Sequence, residues 1–199
     1  MDYNNYSLFD VLHPVEVVDL TYKGDFNLVG APYQKQLIHT NYEYKANLKF
    51  SFECISLYDR YRLLEQFYTV RGGAYKFLIR SYKSDFILAE NASAGDTTIK
   101  VKFSKESTIF NYHQFLLYIE GQNKIYKVVS IDEPDPQYTV LHLDDSLQYS
   151  MSVKCADIEI CYLGRWKNDT LYFEHDDIKY SMSSLEFEEV AHSEYEESL

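Results

Sequence analysis

Tyr42-Glu43-Tyr44-Lys45-Ala46-Asn47-Leu48-Lys49-Phe50-Ser51-Phe52-Glu53-Cys54 alternates without a break. Apolar or aromatic residues hold every even position and polar ones every odd position, the period of a strand buried on one face. Ser56, with Asp59 three residues on, reads as a capping box. Leu57, Tyr61, Leu64 and Tyr68 then recur at helical spacing until Gly72-Gly73 stops the pattern. From Ala74 to Tyr82 alternation returns, with Tyr75, Phe77 and Ile79 on one face and Lys76, Leu78 and Arg80 on the other. The stretch from Tyr42 to Tyr82 is therefore expected to be strand, helix, tight turn, strand. The helix should cover Phe50, Phe52 and Phe77 with its tyrosines and leucines.

Working outward, residues 1 to 40 hold short β-like runs, Val15 to Leu20 and Phe26 to Val29, between turn signals at Lys23-Gly24-Asp25 and Gly30-Ala31-Pro32. Downstream, Ala89 to Asp96 is a small-residue connector without hydrophobic period, where a domain boundary is expected. Short runs follow at Thr98 to Phe103, Phe115 to Glu120, Lys124 to Ile131 and Tyr138 to Leu143. Gly121-Gln122-Asn123 reads as a hairpin turn and Asp132 to Pro136 as a solvated loop. Strands lengthen again from Val153 through Ile158, Ile160 and Tyr162. Leu171 to Phe173, Ile178 to Met182 and Leu185 to Phe187 give a closing meander. From Glu188 through His192 to Glu197 an acidic tail is expected.

The fold class expected is mainly β: a β-sandwich or split-barrel domain with one short α-helix (residues 1–89 and 153–199), plus an inserted small β-barrel (residues 90–152). Twenty tyrosines and twelve phenylalanines beside seven glycines and four prolines favour strands and aromatic contact surfaces. The net charge of −12, without a basic stripe, argues against a sequence-independent grip on phosphates. Cys54, Cys155 and Cys161 form neither an even set nor a C-x-x-C spacing, so thiols in a reducing compartment are expected. The acidic start MDYNNYSLFD has no signal-peptide pattern and no stretch approaches membrane-spanning length, so folding in the cytoplasm is expected.

Two acidic clusters invite a chemical reading: Glu174-His175-Asp176-Asp177, and Asp132, Glu133 and Asp135. Neither has zinc or EF-hand spacing, and hairpin or loop residues are the plainer reading. His13, His39, His113, His142 and His192 are scattered without a ligand partner. No nucleophile elbow, P-loop or dinucleotide fingerprint occurs, and Arg71-Gly72-Gly73 is too short to cradle a phosphate. No catalytic, cofactor-binding or metal residue is assigned, and no enzyme activity or cofactor is expected. Tyr58, Tyr61, Tyr68 and Tyr75 admit core packing, sugar stacking or anchoring at a protein interface, core packing being the plain expectation.

Leu63 to Phe77, with its x-F-x-x-x-R-G-G turn and aromatic strand, resembles a segment of the distal tail and minor tail proteins of long-tailed bacteriophages and gene transfer agents. Ala94 to Val101 is similar to the opening of small β-modules in phage tails. Tyr162 to Leu171, with the strand Leu185-Glu186-Phe187-Glu188-Glu189-Val190, resembles the family's closing R-F-x-x-D-x-L and E-V hairpins. Thr69-Val70 stand before Arg71 where the family often has a second basic residue. The resemblance implies a structural virion protein of the tail tip or baseplate. It would form a ring, usually a hexamer, between the tail tube protein and the hub or receptor-binding apparatus, with DNA passing through its lumen. The alternative is a carbohydrate- or receptor-binding accessory module in which exposed tyrosines and Trp166 stack on sugar.

Overall fold

Lys45–Cys54 forms a ten-residue strand. At its described side chains the alternation holds, with Leu48 and Phe50 buried while Lys49 and Ser51 are half-exposed. The computed structural model describes residues 6–9, 16–23, 26–29, 36–39, 45–54, 56–103, 115–135, 138–154, 156–171, 173–177 and 180–190. Outside these ranges lie the turn residues Gly24-Asp25 and Gly30-Ala31-Pro32, as well as Cys155, His13, His113, His192 and the acidic segment after Val190. In chain order the elements begin with β1 (Leu8–Phe9), β2 (Glu16–Lys23), β3 (Phe26–Val29), β4 (Gln36–His39), β5 (Lys45–Cys54) and α1 (Leu57–Thr69). Then follow β6 (Phe77–Arg80), β7 (Phe86–Leu88), β8 (Thr98–Phe103), β9 (Leu116–Ile119), β10 (Tyr126–Asp135) and β11 (Tyr138–Leu143). β12 (Ile158–Trp166), β13 (Glu174–Asp177) and β14 (Tyr180–Glu189) complete the described chain, which is mainly β with one α-helix among the described residues.

The chain divides into two units. The first comprises Phe9–Phe77 and Leu163–Leu199 with Met1, the second Asp2–Leu8 and Leu78–Tyr162. The division thus falls at 77/78 and 162/163, whereas the sequence pointed to 89/90 and 152/153. The connector explains the difference, because its polar backbone is bonded into the second unit. Ala92 and Met151 exchange two backbone hydrogen bonds, Gly95 N–H donates to Leu147 O at 2.9 Å, and Leu147 N–H donates to Asp96 O at 2.8 Å. Small residues here serve close backbone approach rather than a linker.

In the first unit β2, β5, β14 and the end of β12 lie side by side, antiparallel throughout. Leu185 stands opposite Phe50, and Phe187 opposite Leu48 on one side and Trp166 on the other. β13 extends this arrangement by pairing with β14, and β3 and β4 form a separate hairpin. The two glutamates expected to open a frayed tail are instead strand residues: Glu188 faces Arg165, and Glu189 faces Gly164 and is buried. The core is an aromatic cluster. Trp166 lies 4.6 Å from Phe187, 5.2 Å from Phe67, 5.8 Å from Phe9 and 5.9 Å from Phe77, ring centre to ring centre. Burial of each such ring contributes roughly 1.5–3 kcal/mol from area alone, and edge-to-face pairs add to it.

The second unit is a closed barrel. The Ile158–Tyr162 part of β12 pairs with β7, then β8, β11, β10 and β9 follow in turn, and β9 returns to β12. All six pairings are antiparallel, and β6 with β1 attaches to β12 outside this ring of strands. Thr139, Leu141 and Leu143 of β11 point inward with Val101, Ile119, Tyr126, Val128 and Ile158. The segment read as a solvated loop from Asp132 is largely strand: β10 continues to Asp135, with Asp135 opposite Tyr138 and a register shift after Asp132.

Candidate functional site

The helix begins as its sequence dictates. Ser56 Oγ accepts from Asp59 N–H at 3.2 Å while Ser56 N–H donates to Asp59 Oδ2 at 3.1 Å, a reciprocal cap that satisfies two otherwise orphaned donors. Its buried side is not the expected one. Leu63, Phe67 and Val70 are inside, whereas Leu57, Tyr61 and Tyr68 are exposed and Leu64 is half-buried. Two apolar stripes run along this helix, and the one without hydroxyls was packed. Tyrosine loses less by staying in water, where its O–H keeps a partner. Tyr58, Tyr61, Tyr68 and Tyr75, for which core packing was the plain reading, are 69%, 65%, 72% and 50% exposed. They form a surface.

At the other end the chain reverses through two left-handed residues, Arg71 at φ 50° and Gly72 at φ 59°. Gly72 takes this geometry at little cost, while Arg71 carries the strain of a Cβ in the left-handed region, of order 1 kcal/mol. Gly73 is required for a different reason: a methyl group there would lie 2.9 Å from the carbonyl oxygen of Trp166. Its N–H donates to Asp169 Oδ1 at 3.0 Å. The two stretches Leu63 to Phe77 and Tyr162 to Leu171 are therefore clasped together by Asp169 and by the Phe67 and Trp166 rings. Sequence reasoning gave Gly72-Gly73 as a helix stop and gave Asp169 no structural task.

A cleft of about 680 Å³ opens beside this turn. Phe67 and Tyr68 line it with Arg71, Arg165, Lys167 and Glu188. Arg165 Nη2 is 4.0 Å from Glu188, and Lys167 Nζ donates to Glu186 at 3.0 Å, which with Lys49 holds the Glu186 carboxyl below its usual range. Arginine is also stacked on rings: Arg60 over Phe173 at 4.8 Å, Arg62 over Tyr58 at 5.9 Å and Arg71 over Tyr75 at 5.5 Å. Chemically the region offers aromatic faces beside exposed and half-exposed cations. Trp166, taken in the alternative reading as a sugar platform, is 4% exposed and belongs to the core. Its ring cannot stack on a ligand.

The acidic clusters are distributed differently. Asp132 Oδ2 is 2.7 Å from His142 Nε2 across the β10–β11 pair, and Glu174–Asp177 is β13. Cys161 is a buried free thiol whose pKa burial pushes up. A polar network that sequence reasoning missed fastens β6 to β12 within the barrel unit. Arg80 donates to both oxygens of Glu159, at 3.0 and 2.5 Å, with the Tyr118 ring centre 3.9 Å from its guanidinium carbon. Nearby, Asp85 accepts from Ile160 N–H at 2.8 Å and from the Ser81 hydroxyl. Its burial pushes the carboxyl up to about 6 against the lowering by those two donors. Arg80, Glu159 and Asp85 are all at least nine-tenths buried, so the network acts as a fastening. No helix among the described residues is long and apolar enough to cross a membrane. Neither a protein-family model nor a curated protein matches the chain.

Proposed function

We propose that this protein is a structural adaptor of a bacteriophage or gene-transfer-agent tail tip, a distal tail protein rather than an enzyme. Its copies form a ring, hexameric on this reading, that joins the tail tube to the hub or receptor-binding apparatus. The observation that carries the proposal is the clasp between the Arg71-Gly72-Gly73 turn and Asp169: the two tail-like motifs, far apart in sequence, build one structural unit. A mainly β unit with one helix and a closed antiparallel barrel within the same chain agree with that reading. The carbohydrate-binding alternative is disfavoured by burial of Trp166.

The test is the state of the purified full chain by light scattering and negative-stain electron microscopy. Annular particles of about six copies are expected, because cyclic closure satisfies a head-to-tail contact. A chain that stays monomeric at every accessible concentration refutes the ring. On the same reading the lumen does not hold DNA: six copies at −12 each carry −72, and repulsion lets a duplex pass. Tight, salt-sensitive retention of duplex DNA by the ring would contradict passive passage.

A further inference from the structure

Among the described residues, the exposed side of α1 gathers more exposed large apolar side chains than any other element. At about 100° per residue, Leu57, Tyr68, Tyr61 and Tyr58 fall within about 100° of arc. Leu57 is 66% exposed and the three tyrosines 65% to 72%. Tyr75, half-exposed beyond the turn, is the fifth. Taking roughly 200 Å² per large side chain, these residues present about 600 Å². That matches the upper end of about 300–600 Å² for the largest apolar patch on an ordinary monomer, and approaches the roughly 800 Å² each partner contributes to a stable interface.

The charge of this segment selects the partner. Between Leu57 and Lys76 the cations Arg60, Arg62, Arg71 and Lys76 outnumber Asp59 and Glu65, a local +2 in a chain of −12, so the remainder of the chain carries −14. Two such faces laid against each other would oppose like charges. Laid against the rest of a second copy, the face meets opposite charge, and a contact between unlike surfaces is the kind that closes a ring. The arginines stacked on Tyr58 and Tyr75 suit this use, since a planar guanidinium is weakly hydrated and is readily taken into an interface. The face is also a convex helix surface, which a small sugar or metabolite does not fill.

We propose that the Leu57, Tyr58, Tyr61, Tyr68 and Tyr75 face is the contact surface for a second copy of this chain, the basic aromatic half of a head-to-tail interface. The inference rests on the ring reading and names the surface that makes the ring. The test compares the full chain with Tyr61→Glu/Tyr68→Glu and with Tyr149→Glu, whose tyrosine is 52% exposed in the barrel unit, by sedimentation velocity over a concentration series. The double variant is expected to dissociate, its dissociation constant raised at least ~100-fold as for loss of two anchor residues. Its helical circular dichroism should be unchanged, and Tyr149→Glu should assemble like the parent. Raising the salt from about 0.1 to 1 M, which shortens the screening length from about 10 to 3 Å, should favour smaller species. If the double variant unfolds, Tyr61→Ser/Tyr68→Ser replaces it with the same expectation. Assembly of the folded double variant at parental affinity overturns this inference and leaves the ring standing. A parent that never assembles overturns both. A parent that shifts duplex DNA through this face, with the double variant failing to do so, assigns the face to phosphate and overturns the proposal.

Discussion

Replacing Gly73 by alanine should test the clasp most directly. The new methyl would lie 2.9 Å from the Trp166 carbonyl oxygen and 3.1 Å from Asp169 Oδ1. The first is backbone, fixed by the β12–β14 pairing on either side, and cannot swing aside as a side chain would. Overpacking of this kind costs about 1–3 kcal/mol. If relief comes instead by moving the turn, the Gly73 N–H bond to the Asp169 carboxylate is lost, worth about 1.5–3 kcal/mol for a charged acceptor. By either route a destabilisation of about 1–3 kcal/mol follows, which for a chain of this size lowers Tm by roughly 2–12 °C. Urea unfolding, monitored by tryptophan fluorescence, reads the right unit because Trp166 sits in its core. Asp169→Ala should cost about 1–3 kcal/mol by leaving the amide without its acceptor. In the double variant the two costs should fall short of their sum by about 1 kcal/mol, since both act on one contact. Gly73→Ala within 0.5 kcal/mol of the parent, or strict additivity, would refute the clasp.

Three further outcomes are expected. Leu63→Ala should cost about 2–5 kcal/mol and Leu64→Ala distinctly less, because Leu63 is fully buried and Leu64 is not; the reverse order in urea titrations would show that the buried stripe is misassigned. Arg80→Ala should cost about 3–5 kcal/mol by stranding the buried Glu159 carboxylate, and Arg80→Met/Glu159→Leu should recover much of it; equal instability of the two variants argues against a paired-charge origin. Asp85 has its folded pKa raised to about 6 from 3.8, so the folded state binds the proton more tightly and loses stability as pH rises through that window, by about 3 kcal/mol in all. The stability difference between the parent and Asp85→Asn should therefore change between pH 4 and 6 and level off above, and a difference independent of pH would show that Asp85 ionises normally.

What was legible in the sequence was what is local. The Ser56 and Asp59 box lies within one turn, the alternation of β5 within one strand, and Tyr138 to Leu143 is a strand with the bounds its own residues announce. What was illegible depends on partners distant in sequence. The Ala89 to Asp96 connector has the composition of a linker, yet Leu147 and Met151 take up its backbone. The acids from Asp132 read as a loop until the pairing with β11 is known. Gly72 and Gly73 look alike as letters, although one is needed for its dihedral angle and the other for the space beside a carbonyl 93 residues further along the chain.

The helix shows why the candidate surface in particular escaped a reading by period. Periodicity finds apolar stripes and assigns one of them to the core, but α1 has two, and spacing alone does not choose between them. The choice is made by free energy: Leu63, Phe67 and Val70 gain transfer energy with no polar atom to satisfy, whereas burying Tyr61 or Tyr68 would require an acceptor for each hydroxyl. A second averaging hid the charge. The chain-wide −12 reads as a charge without a basic stripe, yet the segment carrying the exposed tyrosines is locally +2. Aromatic area and the opposite sign of charge thus occur on the same twenty residues. Neither feature helps this unit fold, since the buried stripe already anchors the helix, and exposed tyrosines contribute little to a monomer's stability. On the interface proposed above, their cost in solubility is offset when the acidic remainder of a second copy covers them.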